Sequence, residues 1–392
     1  MQFAKRLEAL NQNVFADMDR AKTSARNSGQ EIIDLSLGSS DLPIAKPTIE
    51  TIATSLSDPT THGYLLHAGT KDFRVAAANW YTSRFNLTVN PETEVLPLIG
   101  SQEGTAHLPL AVLNPGDIAL LLDPGYPSHA GGVYLAGGQI YPLPLLVENN
   151  FLPVLKDIPA DVLVKAKMMV LSYPHNPTAA IAPLSFFQQA VEFCRQHDLV
   201  LVHDFPYVDL VFDESENIAP SILQADPEKE LSIEFFTLSK SYNMGGFRIG
   251  YAIGNQQLIT ALRKIKAVVD FNQYRGILNG AISALSGSQT SVTKTVATFQ
   301  QRRDIFVRAL NDIGWQVRSP QATMYVWAKL PEPWQNNSVD FCTKLVAQTG
   351  VAASPGAGFG RAGEGYVRFA LVRDSDILRQ AAAKIEQFIN RV

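Results

Sequence analysis

The sequence contains few cysteines, little net charge and no long apolar run. Its two cysteines, Cys194 and Cys342, are far apart and lack metal-ligand spacing, which argues against a disulfide framework and a thiolate zinc site. The net charge of −4 provides no basic surface for nucleic acid or anionic lipid. The longest apolar runs, such as 118–122, are much shorter than the roughly 20 residues of a membrane span. The polar N-terminal stretch 1–6 does not have the pattern of a signal peptide, so we expect a soluble, cytoplasmic protein.

The first two thirds of the sequence alternate short apolar runs with helical patterns. Periodic stretches such as 184–197, with an apolar stripe on one helical face, lie between the runs. Alternation of this kind predicts a mostly parallel α/β sheet covered by helices. The runs that we interpret as buried strands are 94–99, 118–122, 168–171, 199–202 and 235–238.

The pattern changes after about residue 277. The stretch 291–313 predicts one long helix that stops at Gly314. Two alternating strands, 324–330 and 366–372, follow it, and a terminal helix begins at about Ser375. This order predicts a second, smaller α+β domain.

Polar residues follow each predicted strand of the first region. Ligands collect at the carboxyl ends of strands in open α/β sheets, so these residues are candidate site residues. After the first strand, 100–104 opens a helix whose free N–H groups suit a phosphate, although a serine N-cap in a tight turn explains it equally well. After the second strand, Tyr126 stands between two prolines and is either a ring stacked on a planar ligand or a surface residue in a stiff loop.

The remaining three strand ends carry an amide, a carboxylate and an amine. Asn176 is held between prolines and offers a fixed donor and acceptor. Asp204 leaves a buried strand and requires a partner such as a protonated ring nitrogen, whereas we interpret the preceding His203 as structural. Lys240, followed eight residues later by Arg248, is either a solvated loop charge or a Schiff-base lysine beside a phosphate clamp. Together the five groups describe a site for pyridoxal 5′-phosphate (PLP).

The sequence also resembles the class I/II aminotransferases of PLP fold type I over essentially its whole length. The motifs that carry the resemblance are 172–178, 204–207 and 239–248. Within the class, 35–43 and 99–104 look most like the LL-diaminopimelate and alanine aminotransferase branch.

The resemblance implies a fold and a domain organisation. A large domain with a mostly parallel seven-stranded sheet would bind PLP, and a smaller α+β domain would follow it. We expect an N-terminal segment at 1–40 that packs with the small domain, the large domain at 41–280 and the small domain at 281–392.

The resemblance also implies roles for individual residues. Lys240 would carry the cofactor and move the proton, Asp204 would pair with the ring nitrogen, and Tyr207 would complete the catalytic set. Tyr64 would reach the phosphate of a neighbouring subunit, which implies a homodimer with composite sites. The remaining assignments are Tyr207 and Asn176 to the 3′-oxygen; Tyr126 to the ring; Ser101, Gln102, Thr237, Ser239 and Arg248 to the phosphate; and Arg368, assisted by Gly38 and Asn176, to the substrate α-carboxylate.

No metal is expected, and two departures from the family pattern bear on the substrate. Gln102 stands where relatives often carry lysine, and His175 stands where asparagine is common. The expected reaction moves an amino group between LL-diaminopimelate, alanine or a similar amino acid and a 2-oxo acid such as 2-oxoglutarate. Arg275 is either a second cation for a dicarboxylic donor or a solvated arginine at the domain junction.

Four alternative functions compete with this expectation. A carbon–sulfur β-lyase or a racemase would use the same cofactor residues, and keto-acid-dependent amino transfer separates them from an aminotransferase. A dinucleotide-binding oxidoreductase is disfavoured because no Gly-x-Gly-x-x-Gly follows the first strand. A non-catalytic PLP-binding regulator is disfavoured because the chain retains Lys240 and carries no helix-turn-helix or basic segment.

Overall fold

A computed structural model describes residues 1, 3–10, 14–212 and 219–390. Parts of the predicted segment 1–40 and the last two residues of the predicted domain 281–392 therefore lie outside the described residues. The strands are β1 (Ile33–Asp34), β2 (Val95–Leu98), β3 (Ile118–Asp123), β4 (Gln139–Pro144), β5 (Ala166–Leu171), β6 (Val200–Asp204), β7 (Ser232–Thr237), β8 (Gly250–Gly254), β9 (Tyr325–Lys329), β10 (Val351–Ala352), β11 (Ser354–Pro355) and β12 (Tyr366–Ala370).

Helices cover these strands and connect them. They are α1 (Val14–Asn27), α2 (Lys46–Leu56), α3 (Lys71–Phe85), α4 (Ser101–Val112), α5 (Pro127–Leu135), α6 (Ala160–Leu163), α7 (Leu184–Gln196), α8 (Gln256–Val269), α9 (Arg275–Ser286), α10 (Thr290–Asp312), α11 (Ser338–Thr349) and α12 (Ser375–Ile389). None of the helices in the described ranges combines the length and apolar character that crossing a membrane requires.

The large sheet has seven strands in the order β2-β8-β7-β6-β5-β3-β4. Strand β8 runs antiparallel to both of its neighbours, and the other adjacent pairs are parallel. The prediction of a mostly parallel seven-stranded sheet is therefore confirmed. Since β2, β3, β5, β6 and β7 run in the same direction, the loops that follow them meet at one edge of the sheet.

Side-chain alternation explains why helices cover both faces of this sheet. In β3, Leu120 and Leu122 enter one hydrophobic core, whereas Ala119 and Leu121 enter another on the opposite face. Helix α7 buries its apolar stripe, which includes Cys194, in the first of these cores. Both cysteines are buried and unpaired, as expected from their apolar surroundings.

The C-terminal region forms a smaller layer of its own. Strands β11, β12 and β9 make an antiparallel sheet, and α10 and α12 pack against each other beside it. Helix α10 closely matches the predicted helix 291–313, and Gly314 follows it with a φ of 86°. In the N-terminal segment, β1 pairs with β10, so Ile33 lies beside Val351. The smaller α+β unit is confirmed, whereas the exact division at residues 40 and 280 stays a prediction.

Candidate active site

Asp204 and His129 form what we call the buried end of the site. Asp204 ends β6, is 3% exposed, and its Oδ2 lies 3.0 Å from Nε2 of His129. Its other carboxylate oxygen, Oδ1, is buried and has no hydrogen-bond partner among the described residues. Because an unpartnered buried carboxylate oxygen is costly, it suits a ligand that presents a protonated nitrogen.

His129 is a site residue that sequence analysis missed. It lies in the first turn of α5, three residues after Tyr126, and the two ring centroids are 5.7 Å apart in an edge-on arrangement. A lone histidine in a helix has no spacing signal, and its contact with Asp204 spans 75 residues of sequence. The turn that positions Tyr126 therefore also positions the partner of the carboxylate.

Lys240 lies at the centre of the site, where the loop after β7 meets the N-terminal segment. Its Nζ donates a hydrogen bond of 2.6 Å to the carbonyl oxygen of Gly38. The same Nζ lies 5.7 Å from the centroid of the Tyr207 ring. The Tyr207 hydroxyl lies 2.8 Å from the hydroxyl of Tyr325, a buried residue of β9 that sequence analysis did not identify.

Arg368 joins the two sheets. One guanidinium nitrogen donates to Oδ1 of Asn176 at 2.8 Å, and the other donates to the carbonyl oxygen of Ser36 at 2.6 Å. The guanidinium carbon also lies 4.3 Å from the ring centroid of Tyr325 and 4.7 Å from that of Phe359. The arginine is 6% exposed, so its planar group is held in one orientation and suits bidentate binding of a carboxylate.

Ser101, Gln102, Ser239 and Arg248 form the open end of the site. Ser101 begins α4 directly after Gly100, at which an added methyl group would overlap the Arg248 guanidinium. Nη1 of Arg248 lies 3.4 Å from Oγ of Ser239. Gln102 and Arg248 are exposed. A helix N-terminus, a hydroxyl and a guanidinium thus converge, an arrangement that binds phosphate.

Two further contacts extend the open end. Oγ1 of Thr237 donates to Oγ of Ser239 at 2.9 Å, which fixes the serine hydroxyl beside Arg248. The Tyr126 hydroxyl donates to Oε1 of Gln102 at 3.3 Å. Gln102 therefore connects the start of α4 with the ring predicted to stack on the cofactor.

The structure does not bring Tyr64 into the site of its own chain. Its side chain is 94% exposed, and its ring lies 6.4 Å from that of Phe271, which is also exposed. The Tyr64 hydroxyl forms no hydrogen bond with any residue that the structure describes. Arg275, the other candidate for substrate binding, lies beside Gly69.

Two histidines next to the site are buried and bound to the protein. Nδ1 of His203 lies 2.8 Å from Oε1 of Glu234, and its Nε2 lies 2.9 Å from the carbonyl oxygen of Tyr173, which agrees with the structural role expected for His203. Nδ1 of His175 lies 2.8 Å from Oγ1 of Thr178. Burial lowers the pKa of His175 to about 3, so its ring is neutral at physiological pH.

One cluster of potential metal ligands lies beside the open end. Atoms of Glu103, His107 and Asp270 lie within 4.8 Å of one another. The ammonium group of Lys266 is 2.8 Å from Glu103 and 3.0 Å from Asp270. Lysine therefore supplies the positive charge between these carboxylates.

Comparison with known proteins agrees with this geometry. The family model described as aminotransferase class I and II matches residues 30–385. The LL-diaminopimelate aminotransferase of Dehalococcoides mccartyi is 43% identical, and the match covers 99% of each chain. The enzyme of the same name from Moorella thermoacetica is 40% identical over the full length of both chains.

A solved structure shows the same fold. The probable N-succinyldiaminopimelate aminotransferase of Thermus thermophilus superposes with a TM-score of 0.90 at 41% identity, and the match covers 95% of this chain and 99% of that one. The family match spans the twelve strands given above and every strand end of the site. The chain therefore belongs to the class I and II aminotransferases and is a PLP-dependent enzyme that transfers amino groups.

Proposed function

We propose that the chain transfers an amino group from LL-diaminopimelate to a 2-oxo acid such as 2-oxoglutarate, with alanine or another neutral amino acid as the second choice of donor. The observation that carries this proposal is the 43% identity to an LL-diaminopimelate aminotransferase over nearly the whole chain. The similar structure named as a probable N-succinyldiaminopimelate aminotransferase makes the N-succinyl derivative a further substrate to test.

A ranked comparison of kcat/KM tests the choice of donor. The panel is LL-diaminopimelate, N-succinyl-LL-diaminopimelate, alanine, aspartate, methionine and phenylalanine, each with 2-oxoglutarate as acceptor. We expect LL-diaminopimelate to rank first. A tenfold lead of aspartate, about 1.4 kcal/mol of transition-state preference, would contradict the proposal and make Arg275 the residue to mutate.

The site residues fit PLP at both ends. When bound, PLP supplies an electron sink for the electron pair left by the substrate Cα–H bond. Asp204, with Oδ1 free of protein partners among the described residues, would hold a proton on the ring nitrogen. The ring would be oriented by Tyr126, and its 3′-oxygen would be bound by Tyr207 and Asn176. The phosphate would be held by Ser101, Gln102, Thr237, Ser239 and Arg248.

Lys240 would carry the cofactor and then move the proton between the substrate Cα and the cofactor. Its hydrogen bond with the Gly38 carbonyl directs the amine into the site without pairing it to a carboxylate. Borohydride should attach the cofactor irreversibly to Lys240, and peptide mapping identifies the modified lysine. Lys240→Ala should bind some PLP through the phosphate contacts but show no turnover. An adduct on another lysine would rule out this role.

Arg368 would bind the substrate α-carboxylate, assisted by Gly38 and Asn176. The buried, planar guanidinium of Arg368, which is held against two aromatic rings, supports this role. Because Arg368 lies on β12 and Asn176 on the loop after β5, a bound carboxylate would contact both the small and the large sheet. Fixing the carboxylate also fixes the direction of the Cα–H bond relative to Lys240.

We also propose a homodimer whose sites combine residues of both subunits. Exposed apolar side chains, including Tyr64, Leu66, Val268 and Phe271, are what a subunit interface would cover. In this arrangement Tyr64 would contact the phosphate bound by the other subunit. Light scattering at the assay concentration should give the mass of two chains. A monodisperse, active monomer would contradict the proposal.

Domain organisation and location complete the proposal. We assign 1–40 to a segment that packs with the small domain, 41–280 to the large domain and 281–392 to the small domain; the pairing of β1 with β10 supports the first assignment. We place the enzyme in the cytoplasm, since its two cysteines are buried and unpaired and require no oxidising compartment. Cell fractionation with activity assays tests the location.

A further inference from the structure

The hydroxyl of Tyr325 lies where three parts of the chain meet at the centre of the site. It is 2.8 Å from the hydroxyl of Tyr207, which belongs to the loop after β6. A methyl group built at Gly38, in the N-terminal segment, would overlap the Tyr325 hydroxyl. The guanidinium of Arg368 packs on the Tyr325 ring. These contacts leave the 2% exposed ring one position, with its hydroxyl directed at Tyr207.

A count of hydroxyl protons determines which tyrosine donates. A phenol has a single O–H to donate. If Tyr207 donates that proton to the 3′-oxygen of the cofactor, its contact with Tyr325 remains a hydrogen bond only when Tyr325 donates to Tyr207. The two hydroxyls then form a chain that ends at the cofactor oxygen, and each hydrogen bond of such a chain polarises the next.

The charges around the pair favour this direction. The ionisable groups that face Tyr325 in the described structure are Tyr207, Lys240, Tyr126 and Arg368. Burial by itself would raise the pKa of Tyr325, but that pKa is lowered, chiefly by the positive charges of Lys240 and Arg368. Burial and the neighbouring Tyr325 raise the pKa of Tyr207. The two positive charges beside Tyr325 therefore favour Tyr325 as the donor of the pair.

We propose that Tyr325 is a positioning residue whose hydroxyl donates to Tyr207 and so holds the Tyr207 hydroxyl for the 3′-oxygen of the cofactor. This inference rests on the proposed role of Tyr207 in binding that oxygen. A hydrogen bond donated to the 3′-oxygen favours its ionised form. Tyr325 should therefore lower the pKa at which the Lys240-bound cofactor loses its proton, an event that changes the visible absorption spectrum.

Spectral titration of the PLP-loaded enzyme tests the inference. Tyr325→Phe keeps the ring and removes only the hydroxyl, and it should raise the pKa of the visible band by about half a unit to one unit. Tyr207→Phe should raise it further, because it removes the direct donor. In a Tyr207→Phe background, Tyr325→Phe should have no additional effect, since Tyr325 acts through Tyr207.

One further variant serves as a control and another as a second test. Tyr366→Phe removes a tyrosine hydroxyl from the same small sheet, where Tyr366 stacks on Trp327 with ring centroids 5.0 Å apart, and it should leave the pKa unchanged. Gly38→Ala should displace the Tyr325 hydroxyl and raise the pKa as Tyr325→Phe does. It provides a second measurement if Tyr325→Phe does not fold. Because the Gly38 carbonyl also binds Lys240, this variant is repeated in the Tyr207→Phe background, where an effect that acts through Tyr325 should vanish.

The outcomes separate this inference from the proposed function. A wild-type enzyme without a visible band after loading with PLP would contradict the PLP site itself, whereas a visible band that does not titrate would overturn only the role of Tyr325. A normal wild-type band whose pKa is the same in Tyr325→Phe would overturn only the role of Tyr325. An equal shift from Tyr325→Phe in the presence and absence of the Tyr207 hydroxyl would also overturn it, since the two residues would then act independently.

Discussion

The buried and open ends of the site differ in how completely one chain builds them. At the buried end, Asp204 is 3% exposed and already bonded to His129. At the open end, Arg248 and Gln102 are exposed, and Tyr64 of the same chain points to solvent. Electrostatic interactions are strong in the dry interior and screened at the surface. The buried end is therefore complete within one chain, whereas in the proposed homodimer the affinity for the phosphate would also depend on groups of the second subunit.

The largest effect should come from removing the charge at the buried end. Asp204→Asn should bind PLP through the open end but lower kcat by about a thousandfold or more, roughly 4 kcal/mol, because a neutral amide does not hold the ring nitrogen protonated. Steady-state kinetics at saturating PLP measure the loss. Asp226→Asn changes a buried acid that binds the backbone at the amino end of β7, and it should leave kcat of the folded protein unchanged. Near-normal turnover of Asp204→Asn would place the ring partner elsewhere.

The second-largest effect is a loss of folding stability at acid pH, and it comes from the buried residue His175. The folded pKa of His175 is about 3, below its ordinary value of 6.5. Above pH 6.5 the ring is neutral in both states and does not affect stability. As the pH falls below 6.5, the unfolded chain binds a proton that the folded protein does not. His175 should therefore lower the free energy of unfolding by about 2 kcal/mol between pH 7 and pH 5. His175→Asn should remove this component, which urea unfolding at the two pH values measures. If His175→Asn loses as much stability between pH 7 and pH 5 as the wild type does, His175 is not the source of that loss.

The third-largest effect should come from removing Tyr64, and it shows whether the open end of the site is shared between subunits. Tyr64→Ala should weaken PLP binding about tenfold, since one hydrogen bond to the phosphate is lost. At a PLP concentration too low to load Tyr64→Ala dimers, mixing Tyr64→Ala chains with Lys240→Ala chains should restore part of the activity, because one site of each hybrid dimer has both wild-type residues. Equilibrium dialysis and activity assays after mixing measure the two results. No recovery in hybrids of demonstrated composition would show that Tyr64 serves its own chain or has no role in the site.

The smallest effect should come from adding charge at the open end. Gln102→Lys should tighten PLP binding several-fold, about 1 kcal/mol, because an exposed cation gains little from a screened phosphate. The gain should shrink as salt is added. Gln257→Lys makes the same change at the second residue of α8, also exposed, and should leave PLP affinity unaltered. Equal gains in both variants would mean that only net charge matters.

The sequence predicted the large sheet well because its central strands are short apolar runs. Five strands were located to within a few residues, and polar groups stood at their ends. Strand β8 was missed, and it is the strand that explains why Lys240 and Arg248 face the same site: β7 and β8 are antiparallel neighbours, so the loop between them returns to the same edge of the sheet. Strand β4 was also missed, because it contains two prolines and is partly exposed.

Local sequence determined which residues end the strands and which turns hold them, since apolar runs, prolines and glycines act within a few residues of chain. From these came Asp204, Lys240 and the start of α4, and the resemblance to the family added Arg368. Only tertiary structure brought His129 to Asp204 and Tyr325 to Tyr207, contacts across 75 and 118 residues. Tertiary structure also left Tyr64 exposed. Such contacts depend on strand order and on where the small sheet lies relative to the loops of the large one, and neither leaves a periodic signal around a single histidine or tyrosine.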